Sequence, residues 1–120
     1  MRIYVTHSTG FDFKKELYGP IRKSELNSKH EITLPHEKSS ELFDSKKYLD
    51  KCDLVIAEVS HPSTGQGIEL GWANAKQVPI ICFYKKGASP SNSIKAVSKH
   101  IFEYEGSIDL VNKISENISL

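Results

Sequence analysis

The sequence predicts an α/β domain in which a parallel sheet carries helices on both faces. Three observations lead there. The apolar runs are short, and the stretches between them have helical spacing, so that strand and helix alternate five times. The run Leu54 to Val59 is apolar at every position except Glu58, the pattern of a strand buried on both faces. Parallel strands also need crossover connections, and right-handed crossovers leave few topologies.

The first strand is Ile3-Tyr4-Val5-Thr6. A helical pattern follows from Phe11 to Leu26, with Phe13, Leu17 and Ile21 on one face. Gly19-Pro20 should kink or split it, because proline removes a hydrogen bond and clashes with the preceding turn. Glu31 to Leu34 is a weaker second strand closed by Pro35, and Glu41 to Leu49 reads as helix. Leu54 to Val59 is the third strand, followed by a helix over Gly67 to Lys76 and a fourth strand over Pro79 to Tyr84. A polar loop over Lys85 to Asn92 leads to a short helix over Ser93 to Val97 and a last strand over Ile101 to Tyr104. Ser107 to Ile118 closes the chain as a helix with Ile108, Val111, Ile114 and Ile118 in register.

At 120 residues the chain is read as one domain spanning 1–120, with no internal repeat or linker. A formal charge of +1 gives no ground for nucleic-acid or membrane affinity. No N-terminal stretch has the form of a secretion signal, and no apolar run approaches the roughly 20 residues of a membrane span. Cys52 and Cys82 sit beside or within apolar strands and read as reduced packing residues. A cytoplasmic location follows as the expectation. The five histidines have no metal-site spacing, so neither metal nor organic cofactor is implied.

The most informative stretch runs from Asp53 to Ala73, where the third strand enters a Ser/Thr/Gly-rich turn that opens a helix. Ser63-Thr64-Gly65-Gln66 has capping-box form, with the glutamine reaching back to the cap. Gly65 and Gly67 allow close backbone approach to a ligand or to the sheet, and a helix N-terminus favours anions. Yet Glu69 puts a carboxylate in the first turns of this helix, flanked by Ile68, Leu70 and Trp72. An acid there is favoured by the helix dipole alone, by about 0.3–1 kcal/mol. Partial burial adds a second reading, a nucleophile aimed at a sugar carbon beyond the carboxyl ends of the strands.

The segments Asp53-Leu-Val-Ile-Ala-Glu-Val-Ser60 and Pro62-Ser-Thr-Gly-Gln-Gly-Ile-Glu-Leu-Gly-Trp-Ala73 resemble the nucleoside 2-deoxyribosyltransferase superfamily. They are most similar to its 2'-deoxynucleoside 5'-monophosphate N-glycosidase branch. The resemblance spans Asp53 to Phe83 and is looser over Arg2 to Ser8 and Asn92 to Val97. It implies a flavodoxin-like (Rossmann-like) three-layer sandwich with a five-stranded parallel sheet. It also implies a homodimer whose partner chain completes each site, and a nucleotide or nucleoside substrate. By position it implies that Glu69 is the nucleophile, that Ser63 and amides near Gly65 contact a 5'-phosphate, and that Tyr4 lies near the sugar. Ser93 resembles a serine lent across the dimer to the phosphate.

Two positions depart from the superfamily pattern. The aspartate that assists the leaving base would fall at Ser45, whereas this chain has Asp44, about 100° away around a helix. Asp44 takes the role if the segment is shifted or unwound; Glu58 is a less favoured stand-in, read more simply as an end-of-strand polar residue. The loop after the first strand, His7-Ser-Thr-Gly-Phe11, lacks the arginine that clamps phosphate. Ser8 and Thr9 offer hydroxyls to an anion there, and His7 offers a charge. His61 reads as a surface loop residue, His36 as a neighbour of the base, and Trp72 as a packing or interface residue.

The function expected is hydrolysis of the N-glycosidic bond of a (2'-deoxy)nucleoside 5'-monophosphate through a glycosyl-glutamate intermediate. Two alternatives stay open: a deoxyribosyltransferase that hands the sugar to a second base, and a nucleotide-binding module with weak catalysis.

Overall fold

The computed structural model describes residues 1–39 and 43–118. Five strands, β1 (Arg2–His7), β2 (Glu31–Thr33), β3 (Leu54–Glu58), β4 (Ile80–Lys85) and β5 (His100–Tyr104), form one parallel sheet in the order β2-β1-β3-β4-β5. This is the flavodoxin-like order. The helices are α1 (Gly19–Arg22), α2 (Glu25–Lys29), α3 (Ser45–Leu49), α4 (Thr64–Ala75) and α5 (Ser107–Ile118). Every residue of β3 is buried, as its unbroken apolar run requires.

The sheet divides two cores. Ile3 and Val5 face one of them, with Leu17, Ile21, Leu26, Leu110 and Ile114 from α1, α2, α5 and the turn before α1. Tyr4 faces the other, with Val55, Ala57, Leu49 of α3, and Leu70 and Ala73 of α4. Side chains alternate along a strand, so Thr6 shares the α4 side with Tyr4 while His7 shares the α1 side with Val5. That parity positions the site.

The helix expected over Phe11 to Leu26 is split. Lys14–Tyr18 forms a π-helical turn, with Gly19 N–H donating to the carbonyl of Lys14. Pro20 then opens α1. A wider turn accommodates a proline that has no N–H to give and crowds the turn before it. Gly19 fits this geometry, since a Cβ there would stand 3.3 Å from the Lys14 carbonyl. Ser24 starts α2 by accepting from Leu26 N–H. Of the helix expected over 41–49, Glu41 and Leu42 lie outside the described residues, and α3 begins at Ser45. The expected helix over Ser93 to Val97 is a 3-10 turn, Asn92–Ala96.

The helix expected from Gly67 starts earlier, at Thr64, because Ser63 is its N-cap and accepts from Gln66 N–H at 3.4 Å. Only this half of the capping box forms. The Gln66 side chain turns inward to the sheet instead. Nor does Gly67 serve close packing on the sheet, as a Cβ there would meet nothing within 4 Å. Cys52 and Cys82 are free thiols, and burial raises the Cys82 thiol to about 11. Among the described residues no helix is long and apolar enough to cross a membrane.

Candidate active site

Beyond the carboxyl ends of β1 and β3, where the strand order reverses, lies a cleft of about 450 Å³. This is the expected ligand position in an open parallel sheet, and the volume suits a small molecule. Its wall includes Tyr4, His36, Asp44, Ser63, Glu69 and Trp72.

Glu69 reaches this wall through helical spacing. Gln66, Leu70 and Ala73 are the buried residues of α4, and Glu69 lies on their side, half-buried. Its two oxygens have separate donors. The Tyr4 hydroxyl donates to Oε2 at 2.6 Å, and the Thr6 hydroxyl to Oε1 at 2.7 Å. Both donors come from β1, two residues apart on one face. Hydrogen bonds to a carboxylate are strong and short, so they fix the group's orientation. Each oxygen keeps lone-pair capacity toward the cleft.

Tyr4 is fully buried and its ring stacks on Phe43, with centroids 5.8 Å apart. Burial, and then the Glu69 charge, push its hydroxyl far above the ordinary tyrosine range. It therefore stays a phenol and a donor at any physiological pH. The direction of the contact is then set: Tyr4 gives to Glu69. Ser45 is buried and lines the cleft with Tyr4.

This settles how the two neighbours 44 and 45 are disposed. Ser45 is buried and points inward. Asp44 is exposed, caps α3 by accepting from Lys47 N–H at 3.3 Å, and still lines the cleft. Among the described residues Asp44 and Glu69 are the two carboxylates of the cleft wall.

The α4 N-terminus forms another part of the wall with Ser63 and Gly65, and Thr9 of the loop after β1 also lines the cleft. Ser63 and Gly65 are exposed, and Gly65 has open space where a Cβ would stand. Ser8 is buried, and its hydroxyl accepts from Gly10 N–H at 2.9 Å, so it shapes the loop after β1. Ser93 is not on this wall. It lies exposed in a neighbouring groove with Pro62, Thr64, Gly67, Gly71 and Ile94, and pairs with Ser91 at 2.7 Å. Gly67 belongs to that groove as well.

His7 does not bring the charge the sequence suggested. It is buried, Nδ1 lies 2.7 Å from the Ser8 carbonyl, and Nε2 lies 2.6 Å from the Tyr18 hydroxyl. Burial lowers its pKa below the ordinary histidine value, so the ring is neutral at pH 7. Nδ1 is then the donor and Nε2 the acceptor. The cleft wall has one lysine and no arginine among the described residues: Lys46, whose ammonium lies 5.6 Å from the Trp72 ring centroid. His36 lines the cleft as expected, and exposed His61 packs against Phe11 at 5.2 Å. Glu58 is sealed beneath the loop after β3 and does not line the cleft.

Sequence reasoning passes over Thr6 and reads Gln66 only as part of a helix cap. A signal exists for each. Thr6 is two positions from Tyr4 on a strand, and Gln66 is one turn before Glu69 on a helix.

No family model matches the chain. Over 48 residues it is 42% identical to a protein named 2'-deoxynucleoside 5'-phosphate N-hydrolase 1 of Syntrophotalea carbinolica; the match covers 39% of this chain and 34% of that one. Over 38 residues it is 47% identical to the 5-hydroxymethyl-dUMP N-hydrolase of Rattus norvegicus, covering 32% and 23% of the two chains. The chain thus matches only about a quarter to a third of these relatives' length. In fold it is similar to a solved CMP N-glycosidase of Clostridium botulinum, with a TM-score of 0.69 at 24% identity, covering 96% of this chain and 99% of the other. A conserved protein of Enterococcus faecalis V583 gives 0.63 at 17% identity, covering 98% and 99%. Sequence and fold together support the resemblance to the nucleoside 2-deoxyribosyltransferase superfamily.

Proposed function

We propose that the chain hydrolyses the N-glycosidic bond of nucleoside 5'-monophosphates, with Glu69 as nucleophile. One observation carries the reading: a carboxylate held through both oxygens by Tyr4 and Thr6 at the wall of a cleft whose other part is a helix N-terminus. About six residues of helix, some 9 Å of axis, separate Ser63 from Glu69. That spacing leaves room for a sugar phosphate, its anion at Ser63, Gly65 and Thr9 and its anomeric carbon at Glu69. The matched relatives' names, which concern nucleoside 5'-phosphates, support the same class of substrate.

In the first step a Glu69 oxygen bonds to C1' as the C1'–N bond breaks, and the bonding pair leaves with the base. The base takes up a proton, for which Asp44 is the acid at hand on the cleft wall. Water then attacks C1', gives up a proton, and returns Glu69 as a carboxylate. Two displacements leave the anomeric configuration unchanged. Tyr4 and Thr6 orient the carboxylate.

The site is completed in a homodimer. Ser93 is exposed in its own groove, off the wall that carries Glu69, so in this reading it serves the site of a second copy. The test is direct. Wild-type protein should release free base from deoxynucleotides, and Glu69→Ala should not. Equal turnover by that variant rejects the mechanism, and tight nucleotide binding without any base release points to a binding module.

One observation favours a second reading, base exchange on unphosphorylated nucleosides. No arginine or lysine among the described residues lines the Ser63–Thr9 part of the cleft, because Lys46 lies by Trp72. An acceptor base added to the assay separates the two, since a transferase yields an exchanged nucleoside.

A further inference from the structure

We infer that Gln66 is a positioning residue for Glu69, acting through the backbone ends of β1 and β3. The inference builds on the reading of Glu69 as the nucleophile. Gln66 is 4% exposed. Its side-chain amide nitrogen donates to the Glu58 carbonyl at 2.7 Å and to the Thr6 carbonyl at 3.3 Å. β1 and β3 are ladder neighbours that pair Thr6 with Ala57 and His7 with Glu58, the last pair of the ladder. A carbonyl oxygen has two lone pairs, so these strand-end carbonyls can take a side-chain donor beside any ladder bond. One NH2 group has two hydrogens, and here each meets one carbonyl. A buried amide is tolerated only when bonded in this way.

The consequence reaches Glu69. Gln66 fixes the first turn of α4 to Thr6, and Glu69 lies three residues further on the same side of the helix. Thr6 in turn donates its hydroxyl to Glu69 Oε1 at 2.7 Å. The contacts form a closed ring: Thr6 carbonyl, Gln66 side chain, one turn of α4, Glu69 carboxylate, Thr6 hydroxyl. Gln66 therefore holds both ends of the Thr6–Glu69 contact, the strand and the helix. Displacing a nucleophile by an ångström costs on the order of 100-fold in rate. The half-formed capping box has the same explanation, because a Gln66 side chain folded back on Ser63 would give up its bonds to both strand ends.

The experiment compares wild type, Gln66→Met, Thr6→Val and the double variant in two measurements. Methionine keeps the length and removes the donor. With no substrate present and at one neutral pH, the carboxylate 13C resonance of Glu69 should move in Q66M toward its position in T6V. With substrate, kcat in Q66M should fall about 10- to 100-fold with KM within about threefold. The double variant should be no worse than T6V alone, since both substitutions break one ring. A Glu69 resonance unmoved in Q66M, or losses that simply add in the double variant, would overturn the inference and leave Gln66 a packing residue. The resonance is read without turnover, so it decides the point even where no nucleotide is hydrolysed. Should Q66M fail to fold, Gln66→Asn takes its place, keeping both hydrogens on a stem too short to span the two carbonyls. A shifted Glu69 resonance in Q66N then supports the inference, and an unmoved one overturns it.

Discussion

Glu58 and Glu69 stand at the same end of the sheet, eleven positions apart in the chain, and are treated by the fold in opposite ways. Glu58, at the end of β3, is 3% exposed. Its Oε1 accepts from Ser60 N–H at 2.7 Å, and its Oε2 accepts from the Ser60 hydroxyl at 2.8 Å and from the Tyr104 hydroxyl. Ser60 Oγ also accepts from Lys85 N–H, so the cluster ties together the ends of β3, β4 and β5. Burial, and then Glu58 itself, push the Tyr104 hydroxyl far above the usual tyrosine range and keep it a donor. Glu69 has two donors rather than three, both side-chain hydroxyls, and is open to a cleft. What separates the two carboxylates is the lone pairs left over and the space in front of them.

The largest effects should separate these two residues cleanly. Glu69→Gln should lower base release by roughly 10⁴-fold or more, as removal of a covalent nucleophile does. Its melting temperature should stay within a few degrees of wild type, because the amide keeps the bulk at a half-exposed position. Glu58→Ala should do the reverse. Three buried donors lose their acceptor, a destabilisation of about 3–5 kcal/mol. For a domain of this size that lowers the melting temperature by roughly 10–20 °C. Below the transition, turnover per folded molecule should remain within about tenfold of wild type. Thermal melts and base-release assays on both variants check the pair; an inactive Glu58→Ala with an unchanged melting temperature would erase the distinction.

Next in size is Tyr4→Phe, which removes one of the two donors to Glu69 and leaves the ring on Phe43. A hydrogen bond to a charged group is worth about 1.5–3 kcal/mol, so kcat should fall by about 10- to 100-fold. Thr6→Val belongs in the same range. If either variant were fully active, the orientation of Glu69 would rest on α4 alone.

Much of this is legible in the chain. The apolar run Leu54 to Val59 gives away a strand buried on both faces, and the motif ending in Glu69 gives away a carboxylate that the fold brings to the cleft wall. Strand parity even places Tyr4 and Thr6 side by side, yet a threonine in a strand looks like an ordinary β-branched filler, and its partner is 63 positions away. Long-range pairs of this kind leave no local trace. Gln66 misleads for the opposite reason, since a strong local pattern, the capping box, competes with two strand-end carbonyls that only the folded sheet presents. The positions 44 and 45 show a third limit. Spacing alone puts Asp44 about 100° from the required direction, and the short α3 resolves this by turning Ser45 inward and leaving Asp44 at the cap. A charge on His7 fails because the ring is buried against Phe13, Tyr18 and His36, and that burial depends on where the π-helical turn places Tyr18.

His7 yields the smallest effect, and it bears on whether either carboxylate shares its charge with a neighbour. His7 is the ladder partner of Glu58, but its ring nitrogens are engaged by the Ser8 carbonyl and the Tyr18 hydroxyl. The Tyr18 hydroxyl accepts from His36 N–H at 3.0 Å, which leaves its own proton for His7. Burial lowers the His7 pKa below 6.5, while the unfolded chain binds the proton at about 6.5. The unfolded state therefore holds more protons between the folded value and 6.5, and stability rises with pH across that window. Above 6.5 the contribution is complete; below it, stability is lost at up to about 1.4 kcal/mol per pH unit until the folded ring protonates. His30 is shifted in the same direction but is more accessible, and the lowered values of Glu37 and Asp109 act only below 4.5 and 3.8. Denaturant melts between pH 5 and 7 should show this slope in wild type and a flatter one in His7→Gln, whatever the variant's absolute stability. Equal slopes would mean that His7 binds its proton alike in the folded and unfolded chain, and a contribution of opposite sign that one of the two carboxylates holds the ring charged.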